Sequence, residues 1–598
     1  MKKILLYLCL TMAWVSNTQA VKVSVKAVDG APLATVMVTR SWANMPVQDL
    51  SDDGYAPNGK TNSSPEEMTR FTDAQGRTEF GETLAAKKVN YRLRKMGYAD
   101  LTFQQIAVGQ PISAVMKKLT DIESLAMQKP ANTWLSQLDF GSDDSLKKHF
   151  QLNCAFCHQQ GSEFMRVERS KEQWRTIIDR MVGYGARVAD DLREPMAEHL
   201  SKGYRRLREN VEQIPSPRPW QPSLNSAKIS EWPIGDSFSQ MHDLLLHPNG
   251  FIYVGDNVQD RIYEVNPKNG QFTVYKVPHQ PDDRPGGLLG NRFSLHGKIN
   301  SYTGVHSFAV SPTDGHIFIT PSLQQAIIEF DPINKTFTRH EMEEGLYPHT
   351  IRVDAQDRVW FTLAISSQIA MFDRSQKAFT LYDLPSRSIK DWLITKLVPW
   401  VMKLEPENRP QPSIDKDNSG LPQPYGIDVA ADGRVWFTRL YGNDIGVIDP
   451  KDGSVTMIET PFNGPRRLRI DNSGNIWIVA FQDSRLMKYD PVAKRFTNYE
   501  LPVLNETPYA LNIDKERGLV WVNGNQSDTL LSFNIANESW NVYPMPKART
   551  FTRDIEIDTD GSVYTSNSQF PSWQIEGGQP TLIRVQPDNP VQEVTQVN

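Results

Sequence analysis

The sequence predicts a multidomain, mainly β chain: an N-terminal β-sandwich, a small α-helical domain and a C-terminal seven-bladed β-propeller. Three observations carry this. A block of about 42 residues recurs through the C-terminal part. Short alternating strands with regular turn signals fill the region before residue 120. Between the two lies a helical stretch holding the only cysteine pair outside the first twenty residues.

Residues 1–20 read as a secretory signal. Lys2 and Lys3 precede an apolar run from Ile4 to Val15, and Ala20 is the small residue at the expected cut. The run is too short to span a bilayer, and no apolar stretch of spanning length follows it. A periplasmic or secreted protein is expected. Among 598 residues the formal net charge is −5, and losing the two signal lysines makes it −7. A chain this balanced has no bulk charge drawing it to nucleic acid.

The segment 21–120 supplies the sandwich. Val21 to Ala27 alternates, Asp29-Gly30 turns, and Ala34 to Thr39 alternates again. Thr72 to Gly76 is a turn before another strand, and Tyr91 to Arg94 and Ala99 to Phe103 flank Gly97-Tyr98. The order "DGAPLATVMVT … TDAQGRTEF … YRLRKMGYADLTF" resembles the carboxypeptidase regulatory-like domain, which implies a spacer or adhesive module.

Cysteine usage is the sharpest chemical signal. Cys9 falls in the leader, which leaves Cys154 and Cys157, with His158 directly after. Cys154-Ala155-Phe156-Cys157-His158 is the C-x-x-C-H pattern of covalent haem c attachment. Two thiols one helical turn apart can add to the two vinyl groups of one haem, and the next residue offers its imidazole to the iron. No second cysteine pair exists for zinc, and no strand feeds a thioredoxin-like turn here. A sixth iron ligand is then needed, usually Met or His. Trp174, Ile177, Ile178, Met181 and Val182 recur at helical spacing, making Met181 the first candidate. Met196 and His199 are alternatives, with Met165 and His149 behind them. The region 130–212 resembles short periplasmic c-type cytochromes, and a Pro-rich linker at 213–227 follows. Its prolines (Pro215, Pro217, Pro219, Pro222) allow an extended spacer of about 3.1 Å per residue, long enough to place the haem domain on either face of the propeller.

Residues 228–598 carry the repeat. Four blocks show it plainly: "YPHTIRVDAQDRVWFT", "QPYGIDVAADGRVWFT", "GPRRLRIDNSGNIWIV" and "TPYALNIDKERGLVWV". Each runs through an alternating strand, a tight Asp/Gly turn and a strand with a central aromatic. Third strands follow, and fourth strands end near Pro ("FTLYDLP", "VTMIETP", "FTNYELP", "WNVYPMP"). Weaker copies begin at His242, His306 and Arg553, giving seven. The outer strand of the last blade comes either from "KISEWP" (Lys228 to Pro233), whose pairing would close the ring and remove an exposed sheet edge, or from the C-terminal "VQEVTQV", and the sequence does not decide between them.

The repeat also works as a ruler. One equivalent position, at the start of each inner strand, is held by His242, His306, His349, Tyr425, Arg466, Tyr509 and Arg553. These should ring one mouth of the channel. Three of the chain's 11 histidines fall there. Two insertions interrupt the period on the same face, from His279 to Ser301 and from Ser386 to Ser419. The second contains "IKDWLITKLVPWVMKL", whose Trp392, Leu393, Trp400 and Met402 are expected to form a lid, a docking site for the haem domain or a membrane contact.

The block "PYGIDVAADGRVWFTRLYGNDIGVIDPKDGSVTMIETP" is similar to the virginiamycin B lyase (streptogramin lyase) family. That resemblance implies a propeller that linearises cyclic depsipeptides by magnesium-assisted elimination. The family's catalytic blade reads Glu-Pro-His-Gly, with a substrate-binding His one blade earlier. His349 matches the earlier histidine, but the next blade reads Gln423-Pro424-Tyr425-Gly426. A tyrosine of pKa about 10 is a poor general base at neutral pH. The favoured expectation is therefore an exported haem c electron-transfer protein or oxidoreductase. Its ring would bind a substrate or partner, and its electron partner would be a protein or small molecule; His242, His306 and His349 would either converge on a second metal ion such as iron, copper or zinc, or shape a substrate pocket in which Arg466 and Arg553 meet an anionic group. A carbon–oxygen lyase and a non-catalytic binding scaffold are the alternatives.

Overall fold

The computed structural model describes residues 20–50, 59–81, 86–142, 144–290, 299–405, 408–409 and 421–588. The expected signal and "VQEVTQV" lie outside them, apart from Ala20 at the signal's end. Seven four-stranded antiparallel sheets build the propeller. Their inner strands are Met241–Leu246, Val305–Val310, Pro348–Val353, Pro424–Val429, Pro465–Ile470, Leu511–Asp514 and Glu556–Ile557. Each meets the next in order, and the seventh meets the first, so the ring is closed. Lys228–Pro233, one of the two segments the sequence offers, is the outer strand of the last blade, paired antiparallel with Thr581–Gln586.

The repeated Asp of each turn explains the blade signature. Asp354 accepts the backbone amides of Gln356 and Arg358 and the indole N–H of Trp360. Asp471 does the same for Ser473, Asn475 and Trp477. One carboxylate thus caps the hairpin and satisfies a buried tryptophan that fills the space between blades.

The N-terminal region is a two-sheet sandwich around Val23, Val25, Val36, Tyr91 and Leu93. It is welded to the propeller. Glu67–Phe71 pairs antiparallel with the outer strand of blade seven, making one eight-stranded sheet, and Lys60–Ser63 extends blade one. The sequence reading missed both strands, because their pairing partners lie far away in the chain.

The helical unit comprises α1 (Ile122–Met127), α2 (Ala131–Leu135), α3 (Asp144–Cys154), α4 (Lys171–Gly183) and α5 (Asp190–Glu209). They pack around Trp134, Phe150, Trp174, Leu192, Met196 and Tyr204. The linker is not the free spacer expected. Leu224 is buried, Trp220 packs edge-on against Phe71, and the Gln221 amide donates to the Val542 carbonyl. The helical unit therefore has one position, over the ring.

Candidate functional site

The seven ring residues converge, and all are buried. The His242 and His306 ring centroids lie 3.7 Å apart, His306 and His349 4.0 Å, and His349 and Tyr425 4.1 Å. The hydroxyls of Tyr425 and Tyr509 share a 2.5 Å hydrogen bond. Arg466 donates to the Tyr425 hydroxyl at 2.9 Å and stacks 3.5 Å from the Tyr509 ring centroid. Arg553 donates to the Tyr509 hydroxyl at 3.1 Å.

A backbone irregularity aims these side chains. In five blades the register between the first two strands slips at the ring position, between Met241 and Leu244, Val305 and Phe308, Pro348 and Ile351, Pro424 and Ile427, and Pro465 and Leu468. Such bulges turn two consecutive residues toward one side. The threonine of the second strand holds the bulge. Thr320, Thr362 and Thr438 accept the amides of Ser307, Thr350 and Gly426 and donate to the carbonyls of His349, Tyr425 and Arg466 in the next blade. At Gly426 a Cβ would stand 2.8 Å from the Arg466 carbonyl oxygen and the Arg467 Cα, so only glycine lets these blades approach.

The bulge brings in a second tier that the sequence reading did not single out. Arg467, fully buried, donates to both carboxylate oxygens of Asp243 at 2.6 and 2.8 Å and to Asp554 at 2.9 Å. Asp243 also meets the His242 Nδ1 at 3.0 Å. Burial holds the His242 imidazole down to about 4 and those of His306 and His349 well below their usual range, so all three are neutral. Burial lifts the Tyr425 phenol well above its ordinary value. At Tyr509 burial also acts upward, but Arg466, Arg553 and Arg467 prevail and lower it. Of the two hydroxyls, which share a hydrogen bond in which either oxygen can donate, Tyr425 is thus the weaker acid and Tyr509 the stronger.

The expectation of an open mouth is corrected here. The ring is covered by the stretch that carries Cys154, Cys157 and His158. Phe156 inserts beneath the Arg466 guanidinium, 4.1 Å from ring centroid to Cζ, and packs edge-on against Tyr425. Leu152 and Ala155 share an apolar cluster with Tyr425, Tyr509, Phe481 and Phe551. Arg553 donates to the Cys157 carbonyl at 3.4 Å. The Gln159 amide donates to the Asn525 carbonyl, the Asp528 carboxylate and the Thr550 carbonyl at 2.7, 2.7 and 3.1 Å. Behind the loop, a Cβ at Gly161 would stand 2.1 Å from the Ala131 carbonyl oxygen, so the chain passes against α2 with no room for a side chain.

Of the roles expected for the second insertion, the covering of the ring falls to the Phe156 stretch. Helix α6 (Ile389–Val401) leaves Trp392, Leu393, Leu397 and Trp400 exposed, while the Phe156 stretch occupies the ring. The two insertions do meet: Arg284 pairs with Glu405, and Arg409 donates to the Leu288 carbonyl.

The donor set at the cysteine pair fits a covalent haem. Both thiols are free, and Cys157 is exposed. Burial pushes the Cys154 thiol up to about 12, unlike the activated thiolate of a redox pair. His158 Nδ1 lies 3.0 Å from the Gln159 carbonyl, with the Gln160 amide at 3.3 Å, which leaves Nε2 for a ligand. Among the sulfur candidates, Met196 is wholly buried with its Sδ 3.8 Å from the Cys154 Sγ. Met181 is half-buried near the end of α4, where its carbonyl accepts the Tyr184 and Ala186 amides. Met165 is half-buried against the helical core. His149 Nε2 accepts the Ala189 amide, and His199 Nδ1 lies 3.2 Å from the Asp139 carbonyl.

No family model matches the chain, and no curated protein matches it. Solved structures that are similar include the virginiamycin B lyase of Staphylococcus aureus in selenomethionine form, 15% identical, covering 60% of this chain and 99% of its own, with a TM-score of 0.45. A streptogramin B lyase is 16% identical over 60% of this chain and 97% of its own, TM-score 0.45. YCF48 bound to D1 peptide is 9% identical over 61% and 94%, TM-score 0.41. The propeller assignment stands on the seven closed sheets.

Proposed function

We propose that the chain is an exported haem c protein that moves electrons, with the propeller ring as the platform for its haem-bearing stretch. Cys154 and Cys157 would hold the haem through thioether bonds, and His158 would bind the iron. Met181 is the proposed sixth ligand, since Met196 is committed to the core. When bound, haem supplies a one-electron couple. The observation that carries the reading is one of coincidence: the five residues bearing both thiols and the imidazole are the residues seated on the ring.

The chain's own residues then have definite tasks. Phe156, Gln159 and the Arg553 contact fix the loop, which limits reorganisation around whatever it carries. The buried guanidiniums of Arg466 and Arg553 disfavour added positive charge beside the loop, and so favour its reduced form. Electrons would enter or leave where Cys157 reaches solvent, from a protein or a small molecule. The lyase reading fares worse. Tyr425 stands where the base belongs, and burial makes it a weaker acid than a free tyrosine, so it stays protonated and hydrogen-bonded at neutral pH.

The test is an absorption spectrum of the exported protein before and after dithionite, with haem counted per chain. One covalent haem that reduces is expected, lost in Cys154→Ser/Cys157→Ser. Absence of haem from protein made with a working maturation system would end the proposal.

A further inference from the structure

The stacked histidines do something no packing argument requires. His242, His306 and His349 sit on three successive inner strands, each nearly enclosed, their rings in consecutive contact. A buried polar nitrogen without a partner is costly and rare. Yet His306 Nδ1 is buried with no partner, and among the described residues no protein group bonds the Nε2 of any of the three. The Nδ1 atoms of His242 and His349 have partners of the kind that metal-binding histidines have. His242 Nδ1 meets the Asp243 carboxylate, and His349 Nδ1 the Thr350 hydroxyl, each at 3.0 Å. Such outer partners fix the tautomer and point Nε2 lone pairs inward.

We propose that His242, His306 and His349 form an all-imidazole transition-metal site, and that its ion is cuprous copper. The ligand atoms of His242, Asp243 and His306 lie within 4.8 Å of one another, and His349 stands outside that group with its ring centroid 4.0 Å from that of His306, so it would turn toward the shared ion to complete the site. Asp243 is the outer partner rather than a fourth ligand, because Arg467 already takes both of its oxygens. Three imidazoles, beside an Asp243 already held by Arg467, suit a transition metal better than a hard cation and favour copper over the earlier first-row metals. Charge selects the oxidation state. Arg466, Arg467 and Arg553 surround the cluster, and Asp243 and Asp554 both pair with Arg467. A monovalent ion suits that surplus of positive charge better than a divalent one. The Phe156 stretch closes the site, so the ion enters as the chain folds.

This inference does not rest on the haem reading, and the experiment separates them. The full chain is exported from cells grown with added copper, and copper, zinc and iron are counted per chain. X-ray absorption at the copper edge then reports oxidation state and ligand atoms. One copper per chain, cuprous, with a nitrogen-only shell, is the expected result. His306→Phe, which replaces one ring with an apolar ring, should lose the copper. Cys154→Ser/Cys157→Ser should lose iron and keep it. Less than a tenth of an equivalent of copper in folded wild-type protein would overturn the proposal. So would zinc in its place, sulfur in the copper shell, or undiminished copper in His306→Phe. If His306→Phe does not fold, the wild-type shell alone decides: nitrogen only supports the site, sulfur refutes it.

Discussion

Arg467 shows how much of this molecule is decided by single side chains. Its guanidinium is wholly removed from solvent and lies between Asp243 and Asp554. Removing one member of such a group leaves uncompensated buried charge, which costs about 3–5 kcal/mol. Arg467→Met should therefore lower stability by about that amount in denaturant titration, although Met fills much of the same volume. A loss below about 1 kcal/mol would mean water or a counter-ion already serves the two carboxylates. The residue was hidden from sequence reading for a physical reason. In a regular strand, neighbours point to opposite faces, so the repeat ruler that finds Arg466 assigns Arg467 to the other side. The bulge sends both inward. The seven ring positions were legible because every blade repeats them. The tier of Asp243, Arg467 and Asp554 was not, although the pairs His242-Asp243, Arg466-Arg467 and Arg553-Asp554 stood in the sequence. Phe156 was passed over because the two residues between the cysteines read as spacers, whereas one of them is the contact with the propeller.

At the scale of elements, helix α6 is the outlier. Its Asp391 is buried and held by Arg387, and the Ser388 hydroxyl accepts the Asp391 amide, so the first turn is capped and anchored. Its large apolar side chains face outward, with Trp400 62% exposed. Side chains left largely exposed contribute little to folding, and substitutions there usually stay within about 0.5 kcal/mol. Trp392→Gln/Trp400→Gln should leave the denaturation midpoint unchanged while reducing self-association at high concentration, read by light scattering. A clear drop in midpoint would show that these rings are covered in solution. From the sequence the helix could be a lid over the ring, a docking site for the haem domain or a membrane contact, since both insertions lie on that face. The place was filled instead by the chain's own cysteine loop, a long-range docking that no local pattern encodes.

At the scale of the whole molecule, the sandwich and the propeller are joined by shared sheet edges and part-buried ion pairs. Ring closure by Lys228–Pro233 was legible from its match to the fourth-strand pattern. The onward pairing of that strand with Glu67–Phe71 was not, and it ties the sandwich to the propeller together with a polar lock. Arg92 and Arg94 both bind Glu576, at 2.6 and 2.9 Å. Although burial acts the other way, the two arginines hold the Glu576 carboxyl down to about 2 from an ordinary 4.5. The sign follows directly. A carboxylate with a lowered folded-state pKa adds stability that is complete above the unfolded value and is lost as pH falls through the folded one. The seam should thus be at full strength above about pH 4.5 and weaken down to about pH 2. Glu576→Gln removes the charge at every pH. Its destabilisation relative to wild type should be largest near neutral pH and shrink below about pH 4.5, vanishing as the wild-type carboxyl protonates near pH 2. Denaturant titrations of both proteins across that range, followed by sandwich-specific proteolysis, would read the difference. A gap that stays constant with pH would mean that the strand pairing alone holds the sandwich and that the arginines are satisfied by the Pro546 carbonyl, which both already contact.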